Sequence, residues 1–318
     1  MRFFFKSLAG AAAIACVGLA ALQPAPAAAQ DKTVRIGVQK YGKLILLKAK
    51  GSLEKRLAPL GYKVTWTEFP AGPQLLEAVN VGAIDFGNTG EAPPIFAQAA
   101  GAPLLYVAYE PPAPRGEAIL VPKESPIKSV AELKGKKVVL NKGSNVHYLL
   151  VKALEKAGVT YGEIEPVFLA PADARAAFER GAVDAWAIWD PFQAAAETAT
   201  GARTLANGEG IVANHQFYLA AKPFAEGSPK VVEALLAELS EVDKWVQTDP
   251  KAAAAQLSAS VGLPLPVVEL ALSRQSYGVL PINDKVIAAQ QDIADTFVAL
   301  GVLPKKINVS DAVWKAGS

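Results

Sequence analysis

Cysteine is nearly absent from this chain. The sequence holds one, Cys16, inside an apolar N-terminal segment. No disulfide framework can form, so the fold must be held by its core. Histidine is almost as scarce, with His147 and His215 the only two. Without cysteine beside them they do not make a zinc site. The chain has no Gly-x-Ser-x-Gly elbow, no P-loop and no Gly-x-Gly-x-x-Gly fingerprint. Ser144 and His147 lie three apart and would share a helix face, but no third group orients the base. Catalysis is therefore not expected, nor is a metal or cofactor. Excess charge is missing too. There are 32 basic and 30 acidic side chains, and Arg2 and Lys6 lie in the N-terminal segment, so the remainder is neutral. Nucleic acid and acidic membrane surfaces are not expected partners.

The N-terminal segment is itself informative. Arg2 and Lys6 flank Phe3-Phe4-Phe5, an Ala-rich apolar run continues to Leu22, and residues 24–29 end in small side chains. This is the pattern of a secretory signal peptide over residues 1–29, with cleavage after Ala29. The run is short for a membrane span. Lipid attachment at Cys16 is the weaker alternative, because Ala13-Ile14-Ala15 lacks the usual leucine.

The rest of the chain repeats itself at low similarity. Gly82-Ala83-Ile84-Asp85 recurs as Gly181-Ala182-Val183-Asp184, and Phe69-Pro70-Ala71-Gly72-Pro73 resembles Leu169-Ala170-Pro171-Ala172-Asp173. Short apolar strands at 34–39 and 137–141 each precede a helix that ends at a glycine, Gly61 or Gly158. Each unit reads strand, helix, strand, helix, strand, loop, helix, which implies parallel strands flanked by helices. Chance likeness between alternating α/β sequences is the competing reading. Two such units give two lobes, 30–112 with 219–318 and 113–218. The Pro-rich stretch 109–116 leads from one to the other. Residues 216–220 read as a strand, 229–248 and 250–261 as helices, and the tail returns to the first lobe. Two sheets with their strand ends facing one another leave a cleft between them.

The loops at those strand ends carry the polar groups. Lys142-Gly143-Ser144-Asn145 follows an apolar strand and opens a helix. Gly143 allows a tight turn, and Ser144 or Asn145 can either cap the helix or stand beside free N–H groups that hold an anion. On the other side lie Gln39 to Gly42 and the loop Asn88-Thr89-Gly90-Glu91, expected after a strand at 83–87 and before a helix at 95–100. Trp189 can stack on an aliphatic body. Asp190, before Pro191, can cap a helix or face the ligand. His147 falls in the first helical turn, near the cleft mouth.

Residues 69–78, 142–150, 171–178 and 189–191 together resemble the periplasmic substrate-binding proteins of ABC importers, most closely the aliphatic sulfonate-binding type. The resemblance covers nearly all of the chain after the signal segment. It implies a type II periplasmic-binding-protein fold: two α/β lobes, each a mainly parallel sheet flanked by helices, with the ligand in the interlobe cleft. It implies an alkanesulfonate ligand, delivery to the permease's transmembrane subunits, indirect contact with the ATPase subunit, and a monomer in the periplasm. By the same resemblance the sulfonate meets Ser144 and Asn145, with Thr89, Gly90 and Gln39 opposite. Asn88 and His147 lie alongside, and Trp189 and Asp190 border the tail. Glu91 stands where the family more often has aspartate, which shrinks the pocket or makes room for a cationic tail. Taurine, a sulfate ester or another small anion is the alternative ligand. A cofactor-precursor enzyme on the same fold is the alternative of another class.

Overall fold

The computed structural model describes residues 32–40 and 42–315. The expected signal peptide, its cleavage site, Cys16 and Tyr41 lie outside the described residues.

The first repeat unit is β1 (Lys32–Val38), α1 (Lys43–Lys50), α2 (Ser52–Leu57), β2 (Tyr62–Glu68), α3 (Gly72–Asn80), β3 (Phe86–Gly90), α4 (Ala92–Ala99) and β4 (Leu104–Tyr109). The second is β5 (Glu117–Val121), β6 (Lys137–Leu140), α5 (Asn145–Lys156), β7 (Glu165–Phe168), α6 (Pro171–Glu179), β8 (Ala185–Trp189), α7 (Phe192–Thr200) and β9 (Arg203–Asn207). Then come β10 (Gln216–Ala221), α8 (Lys222–Gly227), α9 (Pro229–Thr248), α10 (Pro250–Val261), α11 (Leu265–Ser273) and α12 (Asp284–Ala299).

Two five-stranded sheets result, ordered β2-β1-β3-β10-β4 and β7-β6-β8-β5-β9. Each has a parallel trio, β2-β1-β3 or β7-β6-β8, followed by an antiparallel strand. Those antiparallel strands, β10 and β5, are the ones that open just after the chain crosses between sheets. The matching orders give the sequence repeat a physical basis, and the repeated aspartate shows why. Asp85 Oδ2 accepts the Arg35 N–H at 2.8 Å, and Asp184 Oδ2 accepts the Lys137 N–H at 2.8 Å. In return Asp85 N donates to Arg35 O at 2.7 Å and Asp184 N to Lys137 O at 2.9 Å. Gly82 and Gly181 stand at φ 68° and 69°, where a side chain would be strained.

Four expectations change. The strand expected at 83–87 is β3, shifted to 86–90, because Asn88, Thr89 and Gly90 pair with Tyr218, Phe217 and Gln216 of β10. The helix after it starts at Ala92, with Pro93 and Pro94 in its first turn, where the missing N–H costs nothing. The lobe boundary expected between 218 and 219 falls inside β10, every residue of which belongs to one strand of the first sheet. The tail also does more than return to the first lobe. α9 and α10 bury Val231, Leu235, Leu239, Val242 and Leu257 against α1 in the first core. α11 packs Val267 and Ala271 on Ala194 and Ala195 of α7. α12 sets Ile293 and Phe297 against Ile95 of α4 and Val151 of α5. Both of these last helices touch the second lobe.

Beneath the cleft a buried polar cluster fixes the first crossing. Lys43 is fully buried. Its ammonium pairs with Glu110, donates to Ser276 O at 2.7 Å and lies 3.5 Å from Asp243. Tyr218 OH donates to the other Glu110 oxygen at 2.6 Å.

Candidate functional site

Two helix starts face one another across the interlobe cleft. α4 opens directly from β3, and α5 opens from the turn after β6. Gly143 makes that turn at φ 74°. Ser144 takes the extended N-cap backbone, yet its side chain caps nothing, since its hydroxyl donates back to Asn141 O at 2.7 Å. Around this turn the His147 N–H already donates to Ser144 O at 3.0 Å and the Gly143 N–H to His147 Nδ1 at 3.2 Å, so it is the Asn145 and Val146 N–H groups that stand at the open helix start. No side chain within α4's own first turn caps that helix either.

Between these starts lies a narrow slot of about 30 Å³, lined by Gln39, Gly72, Gly90, Pro93, Gly116, Ser144, Asn145, Trp189, Asn214 and Gln216. That is room for a group of one or two water molecules' size. None of its lining side chains is cationic; they offer amide and hydroxyl groups. A chamber of about 470 Å³ adjoins it and shares Gln39 and Trp189. Its walls include Phe69, Pro70, Pro171, Phe192, Val261 and Leu263, with Lys40, Glu68 and Arg175 also on the lining. Lys40 pairs with Glu68 at 3.7 Å and Arg175 with Glu179 at 2.6 Å.

A chain of carboxamides crosses the slot. Asn145 Nδ2 donates to Asn214 Oδ1 at 2.6 Å, and Asn145 Oδ1 accepts the Ala92 N–H at 3.4 Å. Gln216 Nε2 reaches the same Asn214 oxygen at 3.3 Å, and Asn214 Nδ2 donates to Ala113 O at 2.9 Å. Asn214 adopts φ 53°, which asparagine tolerates better than most residues. The lobes are in contact here: a Cβ on Gly90 would lie 2.0 Å from the Asn145 carboxamide.

Of the residues expected at the site, Gln39, Gly90, Ser144, Asn145 and Trp189 line the slot. The others turn away from it. His147 is fully buried; its Nδ1 accepts the Gly143 N–H at 3.2 Å, which leaves Nε2 to donate to Tyr161 OH at 2.9 Å. Burial, with Lys142 adding to it, pushes its pKa down to about 4, so the ring is neutral and structural. Thr89 is fully buried and its hydroxyl donates to Gly90 O at 3.0 Å. Asn88 is buried below the strand end, and its backbone carbonyl accepts from Gln39 Nε2 at 3.1 Å, which orients Gln39. Glu91 is not on the lining of the slot or the chamber. Its Oε2 accepts the His215 N–H at 2.8 Å, and burial pushes its pKa up to about 7. Asp190 is fully buried and accepts the Ala194 N–H at 3.0 Å from the position just before Pro191, which is the N-cap of α7. Burial raises its pKa to about 7 despite Arg274 beside it.

Gly72, Pro93, Gly116, Asn214 and Gln216 were not anticipated. The crossing segments pass directly under the cleft, so Gly116 and Asn214 could have been suspected from their place beside the Pro-rich and Gly-rich connections. Among the described residues no cluster of three or more histidine, cysteine or acidic side chains is arranged to hold a metal.

Comparison with known proteins places this geometry in context. A family model described as NMT1/THI5 like matches residues 61–253. A protein of Escherichia coli (strain K12), named for binding aliphatic sulfonates, is 46% identical over 306 residues, 95% of this chain and 95% of that protein. The solved structure of the alkanesulfonate-binding protein SsuA from Xanthomonas axonopodis pv. citri bound to MOPS superposes with a TM-score of 0.86 at 45% identity, covering 91% of this chain and 100% of that one. The taurine-binding periplasmic protein of Escherichia coli (strain K12) is more distant, 29% identical over 178 residues, 55% of this chain and 54% of that protein. The chain belongs to the NMT1/THI5-like family and has the two-lobed periplasmic-binding-protein fold of the SsuA structures.

Proposed function

We propose that this protein is the substrate-binding component of an ABC importer, that it captures aliphatic sulfonates in the periplasm, and that it passes them to the transmembrane subunits of a permease. One observation carries the reading: two helix starts from opposite lobes converge on a slot that carries amide and hydroxyl groups and no charged side chain. A sulfonate is ionised at any ordinary pH, so protonation cannot release it. Neutral N–H and O–H donors and helix dipoles hold such a group without a buried opposing charge. Grip then depends on lobe closure, and opening at the permease releases the ligand.

Ser144, Asn145 and the leading N–H groups of α5 bind the headgroup from one lobe. Gly90 and Gln39, with the start of α4, meet it from the other. Asn214 and Gln216 form the floor. Trp189 separates headgroup from tail. The names of the relatives support the ligand class, and the relative solved with MOPS bound supports a sulfonate with a bulky tail. The adjoining chamber favours a sulfonate with a substantial tail over taurine, sulfate or nitrate, which would leave it empty. The protein works as an exported monomer, its leader removed near Ala29, and the lobes move about the crossings at 110–116 and 208–215.

A thermal-shift panel tests this reading. Ethanesulfonate to octanesulfonate, MOPS, taurine, an alkyl sulfate ester, sulfate and nitrate are compared at equal concentration. Stabilisation should be largest for the longer sulfonates, because a ligand that binds only the folded state raises its stability. Stabilisation by sulfate or nitrate alone would reverse the assignment.

A further inference from the structure

We infer that Arg274 is a positioning residue of the cleft: carried by the C-terminal tail, it spans the lobe boundary and fixes the Trp189–Asp190 wall. α11 has two apolar faces one residue out of step. Val268 and Leu272, four apart, sit in the first-lobe core. Val267 and Ala271, also four apart, pack with Ala194 and Ala195 of α7 in the second lobe. Each i, i+4 pair shares one helix face, so α11 is glued to both lobes. Arg274 is the residue at its C-terminal cap.

Its guanidinium forks across the boundary. Nη2 donates to Glu197 Oε2 at 2.5 Å, and Nη1 lies 3.4 Å from Asp190 Oδ1. Glu197 is braced from its other oxygen by Thr204 Oγ1 at 2.8 Å and Gln193 Nε2 at 3.3 Å. Asp190 has no exposure, and Arg274 is its cationic partner. The neighbouring Trp189 borders both slot and chamber. Asp190 N donates to Gly116 O at 3.0 Å, and Gly116 is also on the slot lining. Displacing Asp190 therefore displaces two pieces of the wall. Arg115 adds a second tie, its Nη2 donating to Ser273 O at 3.2 Å at the end of α11. Removing Arg274 would leave a buried carboxylate uncompensated in the ligand-facing wall and would loosen the closed form.

This inference rests on the cleft being the ligand site. The test uses the full mature chain and an alkanesulfonate that the unchanged protein binds. Calorimetry and stopped-flow tryptophan fluorescence are run well below the melting temperature. Arg274→Ala should weaken binding about tenfold, chiefly through faster dissociation. Arg274→Lys should recover part of the loss, because an ammonium can satisfy one acceptor but not the fork. Should Arg274→Ala not fold, Glu197→Gln removes the charge from the shorter arm while leaving an acceptor there and keeping Asp190 paired, and a smaller loss of the same sign is expected. Folded variants that keep the parent affinity and dissociation rate, with only a lower melting temperature, would overturn the proposal. If the unchanged protein binds a different anion, the sulfonate assignment fails by itself, and the same variants titrated with that anion still decide the role of Arg274.

Discussion

The Asn145 carboxamide donates to Asn214 Oδ1 across 2.6 Å while its own oxygen accepts the Ala92 N–H at 3.4 Å. One second-lobe side chain thus touches both the crossing segment and the helix start of the first lobe. In the proposed reading it stands where headgroup recognition and lobe closure meet. Replacing Ser144 or Asn145 by alanine should weaken every sulfonate by a similar amount, about 1.5–3 kcal/mol if a hydrogen bond to a charged group is lost. Calorimetry across tail lengths checks this. Trp189→Ala should behave differently, with a loss that grows with the tail.

Gly90 lets the lobes meet. A methyl group there would sit 2.0 Å from Asn145, too close for any real contact. Gly90→Ala should fold normally, since no left-handed backbone is required at that position. It should hold the lobes apart, visible as a larger radius of gyration in small-angle scattering with saturating ligand, and binding should fall at least tenfold.

Lys43 is a structural charge. Buried between Glu110 and Asp243, it leaves two buried carboxylates without a cationic partner when removed. Lys43→Met should cost about 3–5 kcal/mol in denaturant unfolding. The slot itself should be unaffected in samples that remain folded.

Glu91 gives a pH signature. Burial raises its folded pKa from the ordinary carboxyl range to about 7, so the folded state holds this proton more tightly than the unfolded one. The stabilisation is complete below the unfolded pKa and is lost as pH rises through about 7. Glu91→Gln keeps an acceptor for His215 N–H without a charge. Its stability relative to the parent should therefore rise between pH ~5 and ~8, by up to about 3 kcal/mol. A constant difference across that range would contradict the shift.

Much of the fold was legible because its signals are local. Pro229 and Pro250 mark helix starts, and the repeated Gly82–Asp85 and Gly181–Asp184 encode one turn and one strand clamp twice. The first-lobe loop was misplaced because Asn88 to Gly90 become strand only through β10, far along the chain. The slot-lining residues Ser144 and Asn145 on the α5 turn were readable from glycine and cap chemistry. Thr89, Glu91 and Asp190 stand next to slot residues in sequence and His147 two positions from one, but their side chains point into the protein, a direction that packing decides. Asn214 and Gln216 had no motif at all; only the path of the second crossing brings them under the cleft.

The most direct test of the central claim is a calorimetric titration of the mature chain with octanesulfonate, and separately with sulfate. Saturable one-to-one binding of the sulfonate, little changed between pH 6 and 8, is expected, with no heat of binding from sulfate. Binding of sulfate but not the sulfonate, or of neither, would contradict a neutral two-sided grip on an alkanesulfonate.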